Sequence, residues 1–595
     1  MRRRKMWMLA AVLLGVAGLA GCAKKVPVTE QEVSAEAEKV PAEGQEAPGA
    51  KEQVTQQEQT DDPKDNGGDA ALNMEEQQNE DLPLALTIAV REFYDSAVED
   101  GILLSNKSYQ EAFLPETEAE QMPQLNTAFQ LYANERREEA DRLYQDVTEM
   151  MGDTYSQMPE AVSSAETPGE VPYGTVKTSV QVRRADSRAV SLLEKESSYA
   201  GGVHPSLVYY SAVFDAETGK RLSLTDVVSA VEADGSAIAG SADESEGREA
   251  AAFELLEKVK EKLLETYPAE TFFDLDGYFA DCRKTLGAEL TWTLGYDGLT
   301  FYFSPYEIGP YAAGTLTAAL SFEDGAGLIA PEYLEVPDEY GLSFEAWEPL
   351  YIDMNDDGKL DEFRIECDSA EFGGYDDFTF VLNGETYEDE EFYCYFYEPY
   401  LLHVGEKKYL YLEGTLENDY RVLKVYDVTG DGVALVDSVW SAGAYNYGNG
   451  EAEEEWYWNR ELPLNPKHFR LSSRMDTLST AMAVRDYCVG ANGLPEPKQE
   501  AYVYCSEIVL TAKIPLTAVQ VTEEMDMAAA ESSERVEIPA GEELILYRTD
   551  NSRYVDVKRA DGSICRFEVD LSWGWPQKVN GMDAEECFDG MMFAG

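Results

Sequence analysis

Asp353-Met354-Asn355-Asp356-Asp357-Gly358-Lys359-Leu360-Asp361-Glu362 places oxygen-bearing side chains at relative positions 1, 3, 5 and 9. Alternate spacing of this kind turns several oxygens toward one centre, and the glycine at position 6 permits the tight bend that gathers them. The chemistry is that of a hard cation. Asp353, Asn355, Asp357, the carbonyl of Lys359 and Asp361 are the expected ligands of a Ca²⁺ ion with a structural role. The alternative is an acidic turn that holds no metal. Position 12 is Arg364, so no bidentate glutamate closes the loop, and Leu350-Tyr351-Ile352 and Phe363-Arg364-Ile365 flank it with strand character. A second run, Asp427-Val428-Thr429-Gly430-Asp431-Gly432, begins alike but has Leu435 at position 9 and reads as a hairpin turn.

The first loop resembles the calcium hairpins of integrin-type propeller repeats. Elsewhere, reactive groups are sparse. The chain has three histidines, and only His204, in Gly201-Gly202-Val203-His204-Pro205, sits in a distinctive context. As a general base it would need a nucleophile, and Ser197, Ser198 and Ser206 are near it only in sequence. No cluster of His, Asp, Cys or Ser stands in supportive spacing, so a non-enzymatic protein is expected, with an envelope enzyme acting on peptidoglycan or glycan as the alternative. Apart from Cys22, the cysteines (Cys282, Cys367, Cys394, Cys488, Cys505, Cys565 and Cys587) are scattered, with no CxxC pair and an odd total. Their disulfide pairing cannot be assigned, and at least one thiol is expected unpaired. Glu453-Glu454-Glu455-Trp456-Tyr457-Trp458 is an acidic-aromatic run, read either as a sugar or cationic-peptide patch or as a solvated strand edge.

Composition narrows the partners. Asp and Glu number 115 against 47 Lys and Arg, for a formal net charge of −68 over 595 residues. That sign argues against nucleic acid, where phosphates call for Lys and Arg. It favours metal ions, basic proteins, or simple solubility on a crowded surface. The start of the chain sets the compartment. Arg2, Arg3, Arg4 and Lys5 precede an uncharged apolar stretch from Met6 to Ala20, and Leu19-Ala20-Gly21-Cys22 closes it. The stretch is short for a membrane span and has the layout of an export signal. The closing tetrapeptide resembles the lipobox of bacterial lipoproteins, which implies a diacylglyceryl group on Cys22 after removal of residues 1–21. The mature protein would then be lipid-anchored at the extracytoplasmic face of a bacterial membrane. Residues 22–81 lack aromatics and are rich in Glu, Gln, Pro and Ala, the signature of a disordered acidic linker with a reach of about 40–50 Å.

Three folded regions are expected beyond it. In 82–331, Gln124–Met150 and Glu249–Tyr267 carry one apolar face each and read as helices. Thr175–Val182, Ala189–Lys195 and Leu207–Phe214 read as strands, and Leu290–Leu294 and Leu299–Phe303 form a hairpin about Asp297-Gly298. The mixture without regular alternation fits an α+β domain. Region 333–500 is rich in aromatics and turns and reads as all-β, propeller-like or a sandwich. In 508–595, short strands at Val536–Ile538, Glu543–Arg548, Tyr554–Lys558 and Ile564–Val569 are similar to a bacterial SH3-like barrel.

Within the first region, Ser198-Tyr199-Ala200-Gly201-Gly202-Val203-His204-Pro205, then Phe214-Asp215 and Thr218-Gly219-Lys220-Arg221-Leu222-Ser223-Leu224-Thr225-Asp226, resemble the signature of the RsiV-like extracellular domain, which joins the DUF4163 and DUF3298 families. Phe301-Tyr302-Phe303-Ser304-Pro305-Tyr306-Glu307-Ile308-Gly309-Pro310-Tyr311-Ala312-Ala313-Gly314 is similar to its closing segment. The family includes lysozyme-sensing anti-sigma factors and a peptidoglycan deacetylase. The resemblance implies that Tyr199, Gly201, Gly202 and His204 contact an extracellular ligand, a protein such as lysozyme or a cell-wall glycan.

Overall fold

The computed structural model describes residues 82–157, 171–230 and 241–593, apart from 326, 371–372, 418–419, 445, 448–456, 523–533 and 573. The signal, Cys22, the linker and Glu453-Glu454-Glu455-Trp456 lie outside the described residues. The protein is mostly β, built from several sheets, and no sheet among the described residues closes into a barrel.

A seven-stranded sheet carries β1 (Ala89–Glu99), β2 (Ile102–Phe113), β3 (Gly174–Ala185), β4 (Ala189–Tyr199) and β5 (Ser206–Asp215). Its pairs are antiparallel except β2 with β3, which run parallel. A parallel pair needs a long crossover, and α1 (Pro123–Ser156) provides it. Pro123 suits the first turn, where its missing N–H is no loss. Leu125, Phe129, Tyr132, Ala140, Tyr144, Val147 and Met151 recur at helical spacing and are buried. The outer edge of β1 is covered by Tyr457–Glu461, which pairs from Ala89↔Glu461 to Phe93↔Tyr457.

The next layer follows the same logic. In α2 (Ser241–Thr266), Ala251, Ala252, Leu255, Leu256, Val259 and Leu263 are buried along one stripe. They pack with α3 (Leu275–Lys284) on the antiparallel sheet of β6 (Thr291–Leu294), β7 (Gly298–Phe303) and β8 (Leu316–Ser321).

Next come β9 (Glu339–Ser343), β10 (Leu350–Ile352), β11 (Asp361–Ser369), β12 (Tyr375–Leu382), β13 (Glu385–Asp389), β14 (Phe396–Val404), β15 (Lys407–Thr415), β16 (Arg421–Asp427) and β17 (Ala434–Trp440). Strands β10 to β13 form one sheet, and the others pair in the order β17-β16-β15-β14-β9. Apart from its largely exposed edge strand β17, this sheet is buried on both faces, and the period of two along a strand divides its side chains. Leu401, Leu410, Leu412 and Val422 join Phe363, Phe378 and Phe380 of the four-stranded sheet. Leu402, Tyr411, Leu423 and Val425 join Val182, Leu192 and Phe214 of the seven-stranded one. The strands expected beyond 508 are present, but they belong to a fourteen-stranded sheet that also takes in Phe469–Met475 and Ala481–Val489.

One residue of the five-stranded sheet makes stability depend on pH. His403 on β14 packs 4.7 Å from the Tyr340 ring, and its Nδ1 is buried without a hydrogen-bond partner among the described residues. Burial first, and then the Lys408 cation, push its pKa down from 6.5 to about 4. The unfolded chain therefore takes up this proton before the folded one does. The stability contribution is intact above the unfolded value and is lost as pH falls toward the folded one. Lowering pH from 7 to 5 is expected to cost about 1–2 kcal/mol through this group, allowing for the water it still touches. Denaturant midpoints at both pH values should show the loss, and His403→Gln should reduce it. An equal acid response in the variant would refute the assignment.

Candidate functional site

Two loops singled out by residue type are positioned by neighbouring sheets. The first is the connection between β4 and β5, whose last ladder pair is Ser198↔Ser206. Gly201 and Gly202 adopt φ of +79° and +132°, which glycine tolerates best. The Tyr199 hydroxyl donates to the Gly202 carbonyl at 3.2 Å and closes the loop on itself. His204 then leans away. Its ring lies flat on Tyr311, with centroids 3.6 Å apart and planes 18° from parallel. Its Nδ1 is 3.0 Å from the Pro205 carbonyl, which can only accept, so Nδ1 carries the hydrogen. Nε2, 3.3 Å from the Tyr306 hydroxyl, then accepts from it. Both nitrogens are engaged, and neither reaches Ser197, Ser198 or Ser206 among the described residues.

The tyrosines come from the segment after β7. Ser304 accepts from the Tyr209 amide at 3.1 Å, and the Glu307 carboxylate accepts from the Ser304 amide at 2.9 Å and the Tyr278 hydroxyl at 2.5 Å. Phe273 donates its amide to Ile308 at 2.9 Å. These ties hold Tyr306 at φ +71° and 52% exposed, beside His204 and near the tip of the other loop, where Val203 is 85% exposed. The result is a tyrosine–imidazole platform with an apolar residue projecting nearby. Platforms of that kind contact other molecules by packing and hydrogen bonding.

Family comparison bears on one side of this platform. The model of DUF3298, a protein family of unknown function, matches 245–323, from α2 through β8 and the turn beyond. Residues 245–323 are a DUF3298 domain. A solved member of the DUF3298 family from Bacteroides fragilis is similar at 13% identity, covering 42% of this chain and 98% of its own, with a TM-score of 0.29. A DUF3298 family protein from Pseudomonas aeruginosa PAO1 is similar at 18% identity, covering 42% and 97%, with a TM-score of 0.23. No curated protein matches. The DUF3298 domain supplies Tyr306 and Tyr311, whereas Tyr199, Gly201, Gly202 and His204 precede it. The closing segment is visible in the sequence as a motif, but its pairing with His204, across roughly a hundred residues, is not.

The second loop joins β10 to β11 beyond the pair Ile352↔Asp361. Asp353 Oδ1 accepts from the amides of Asn355 at 3.3 Å and Asp357 at 3.1 Å, and Oδ2 from Gly358 at 2.7 Å. Asn355 Oδ1 accepts from Asp357, and Asp357 Oδ1 from Lys359. Asp361 Oδ2 accepts from Met354, while Asn383 donates to its Oδ1 at 2.7 Å. Asp356 and Gly358 take φ of +58° and +83°. The predicted ligand residues Asp353, Asn355, Asp357, Lys359 and Asp361 therefore share one tight turn, folded by its own side chains. Among the described residues, no group of three or more Asp, Glu, His or Cys side chains is gathered at metal-ligand spacing.

Other groups crowd this turn that its own sequence does not announce. Asp297, from the β6–β7 turn, accepts from the Asp353 amide at 3.1 Å. Burial raises its carboxyl to about 6, and Asp353 and Asp356 push the same way. Glu323 lies against Gly358, so close that a Cβ there would stand 2.4 Å from its Cδ. Lys408 answers part of the negative charge, its ammonium 2.6 Å from Asp356. The second acidic run is a neighbour, since Gly430 donates its amide to the Met354 carbonyl at 2.9 Å.

Proposed function

We propose that this is a non-enzymatic lipoprotein, anchored through Cys22 at the extracytoplasmic face of a bacterial membrane. It holds an extracellular protein on the surface formed by the Tyr199–His204 loop, Tyr306 and Tyr311. The observation that carries the reading is the flat stacking of His204 on Tyr311. It joins the two segments that bear the RsiV-like resemblance, one inside the DUF3298 domain and one in the DUF4163-like part before it. A basic protein such as lysozyme is the proposed partner, because a net charge of −68 favours its approach. The later segments, read as a sandwich or propeller-type unit and an SH3-like unit, serve as accessory β modules, and a Ca²⁺ ion bound by the 353–361 turn stabilises them.

Charge alone gives attraction that fades within physiological screening. Specific binding of lysozyme should persist at about 0.15 M salt, with salt mainly slowing association. His204→Ala removes the stack and is expected to weaken binding about 10-fold or more. Gly202→Val should do the same by reshaping a loop that needs φ +132° at that point. Association and dissociation rates measured across a salt series test this. Binding that vanishes at physiological salt, or that ignores both substitutions, leaves only non-specific attraction and ends the proposal.

The anchor is tested separately. Cys22→Ala should prevent incorporation of labelled fatty acid and shift the protein out of the membrane fraction. Unchanged membrane retention of that variant would rule the lipid anchor out.

A further inference from the structure

The four-stranded and five-stranded sheets share a core, and both end on the same flank. Strand β13 is the last of one and β17 the last of the other, neither with a further neighbour among the described residues. The Tyr387 hydroxyl on β13 donates to the Asp431 carbonyl in the β16–β17 turn at 2.6 Å, which sets the two edges side by side. Between them lies a recess of about 420 Å³, with Tyr387, Glu388, Glu390, Glu391, Val433 and Leu435 in its lining. Edge strands are commonly guarded by lysine, proline or very short length. β17, Ala434-Leu435-Val436-Asp437-Ser438-Val439-Trp440, has one charge and no lysine, proline or glycine. A single register shift, opposite Val425 and Tyr426, is its only irregularity. Leu435 and Trp440 are 51% and 68% exposed. They stand opposite Tyr426 and Val422, both of the shared core, so they project on the side of the recess. An apolar edge of seven residues in water is a surface that takes up another strand.

Charge around the recess selects the occupant. Asp389 is already answered, since Lys424 pairs with it and the Tyr426 hydroxyl donates to it at 2.5 Å. Glu388, Glu390 and Glu391 are exposed and meet no cation among the described residues. A second copy would bring the same acidic flank. Pairing about the centre of β17 would also set Asp437 opposite its own copy, an unfavourable cross-strand pair. The linker 22–81 and the run Glu453-Glu454-Glu455 carry the same negative sign. A basic partner has none of these conflicts, and the stem of a lysine packs on apolar surface while its ammonium reaches a carboxylate. We infer that this flank captures an extended basic segment of another protein. The backbone of the segment adds a strand beside β17, and its apolar side chains lie on Leu435 and Trp440. A Lys or Arg side chain enters the recess toward Glu388, Glu390 and Glu391. The flank lies outside the DUF3298 domain and contains none of the platform residues.

The probe is the heptapeptide Lys-Val-Lys-Val-Lys-Val-Lys, with Glu-Val-Glu-Val-Glu-Val-Glu as control. Each is titrated into the full chain by calorimetry at about 0.15 M salt, where diffuse attraction is largely screened. Saturable binding of the lysine peptide alone is expected, with slowed amide hydrogen exchange in 434–440. Trp440→Ala changes no charge and removes an exposed ring, so the melting temperature should hold while affinity falls about 10-fold. Glu388→Gln combined with Glu391→Gln should weaken binding to a similar degree, and Leu435→Lys should abolish it. His204→Ala should leave it unchanged, which separates this flank from the tyrosine–imidazole platform. No saturable binding at millimolar peptide would overturn the inference. So would binding that ignores both Trp440→Ala and Leu435→Lys, that leaves exchange in 434–440 unchanged, or that is lost with His204→Ala. A dimer seen by sedimentation and dissolved by Leu435→Lys would overturn it too, because the edge would then belong to a second copy.

Discussion

Asp186→Ala is expected to destabilise the protein by about 3–5 kcal/mol, because it strands a buried guanidinium. Arg184 and Asp186 are both 0% exposed at the side chain and pair through Nε and Oδ2 at 2.7 Å. Asp186 Oδ1 also accepts from the amides of Arg188 at 2.8 Å and Ala189 at 2.9 Å, so it shapes the β3–β4 turn as well. The far side of Arg184 donates to the carbonyls of Tyr333 at 2.8 Å and Glu335 at 2.9 Å. It thereby ties the turn to the segment leading into β9. The control is the exposed pair Lys284–Asp281, whose removal should cost no more than about 0.5 kcal/mol. Adding Arg184→Met to Asp186→Ala should recover part of the loss, because the uncompensated charge leaves with its partner. Urea midpoints at constant slope measure all of these. A single variant no weaker than the surface control would show that the pair is dispensable.

Calcium should raise the melting temperature of the wild-type protein relative to a chelated sample. Binding to the folded state alone adds about 2.7 kcal/mol at 100 times the dissociation constant. The turn geometry separates the ligand role from the structural one. The Asp357 carboxylate accepts from the Lys359 amide and pairs with the exposed Lys359 ammonium at 3.5 Å, an exposed pair worth little, so Asp357→Ala should abolish the calcium response and leave the chelated protein nearly unchanged. Asp353 accepts three backbone amides, so Asp353→Ala should lower stability even under chelation. Identical melting of the wild type with calcium and with chelator would show that the turn is held by its own hydrogen bonds alone.

What could be read from the sequence was local. The helix face of 124–150 appears within α1 and that of 249–267 in α2 up to Thr266, and Asp297-Gly298 turns the β6–β7 hairpin as its residue types require. The spacing of Asp353, Asn355 and Asp357 marks a side-chain-folded turn because each carboxylate or amide reaches backbone two to five residues ahead. What could not be read was long-range. Nothing in the composition of 82–113 announces β1 and β2, whose burial alternates imperfectly. Asp297 and Glu323, on two different connections, and Lys408, on β15, surround the acidic turn. The strands beyond 508 carry the short spacing of a small barrel, yet neighbouring strands extend them into a larger sheet. Pairings between distant segments leave no periodicity for a single sequence to display.

The strand Tyr457–Glu461 that completes the first sheet sets an order of events in the life of the chain. Arg91 donates to Asn459 across 368 residues. Until that strand arrives, the outer edge of β1 shows unpaired amides and carbonyls, the kind of surface that recruits other chains. Contacts this remote in sequence also close slowly. That edge of β1 therefore stays open until most of the chain is available. A shortened version ending near 331 would carry an open seam, prone to self-association. Any partner assay made with such a fragment would report the seam as well as the tyrosine–imidazole platform.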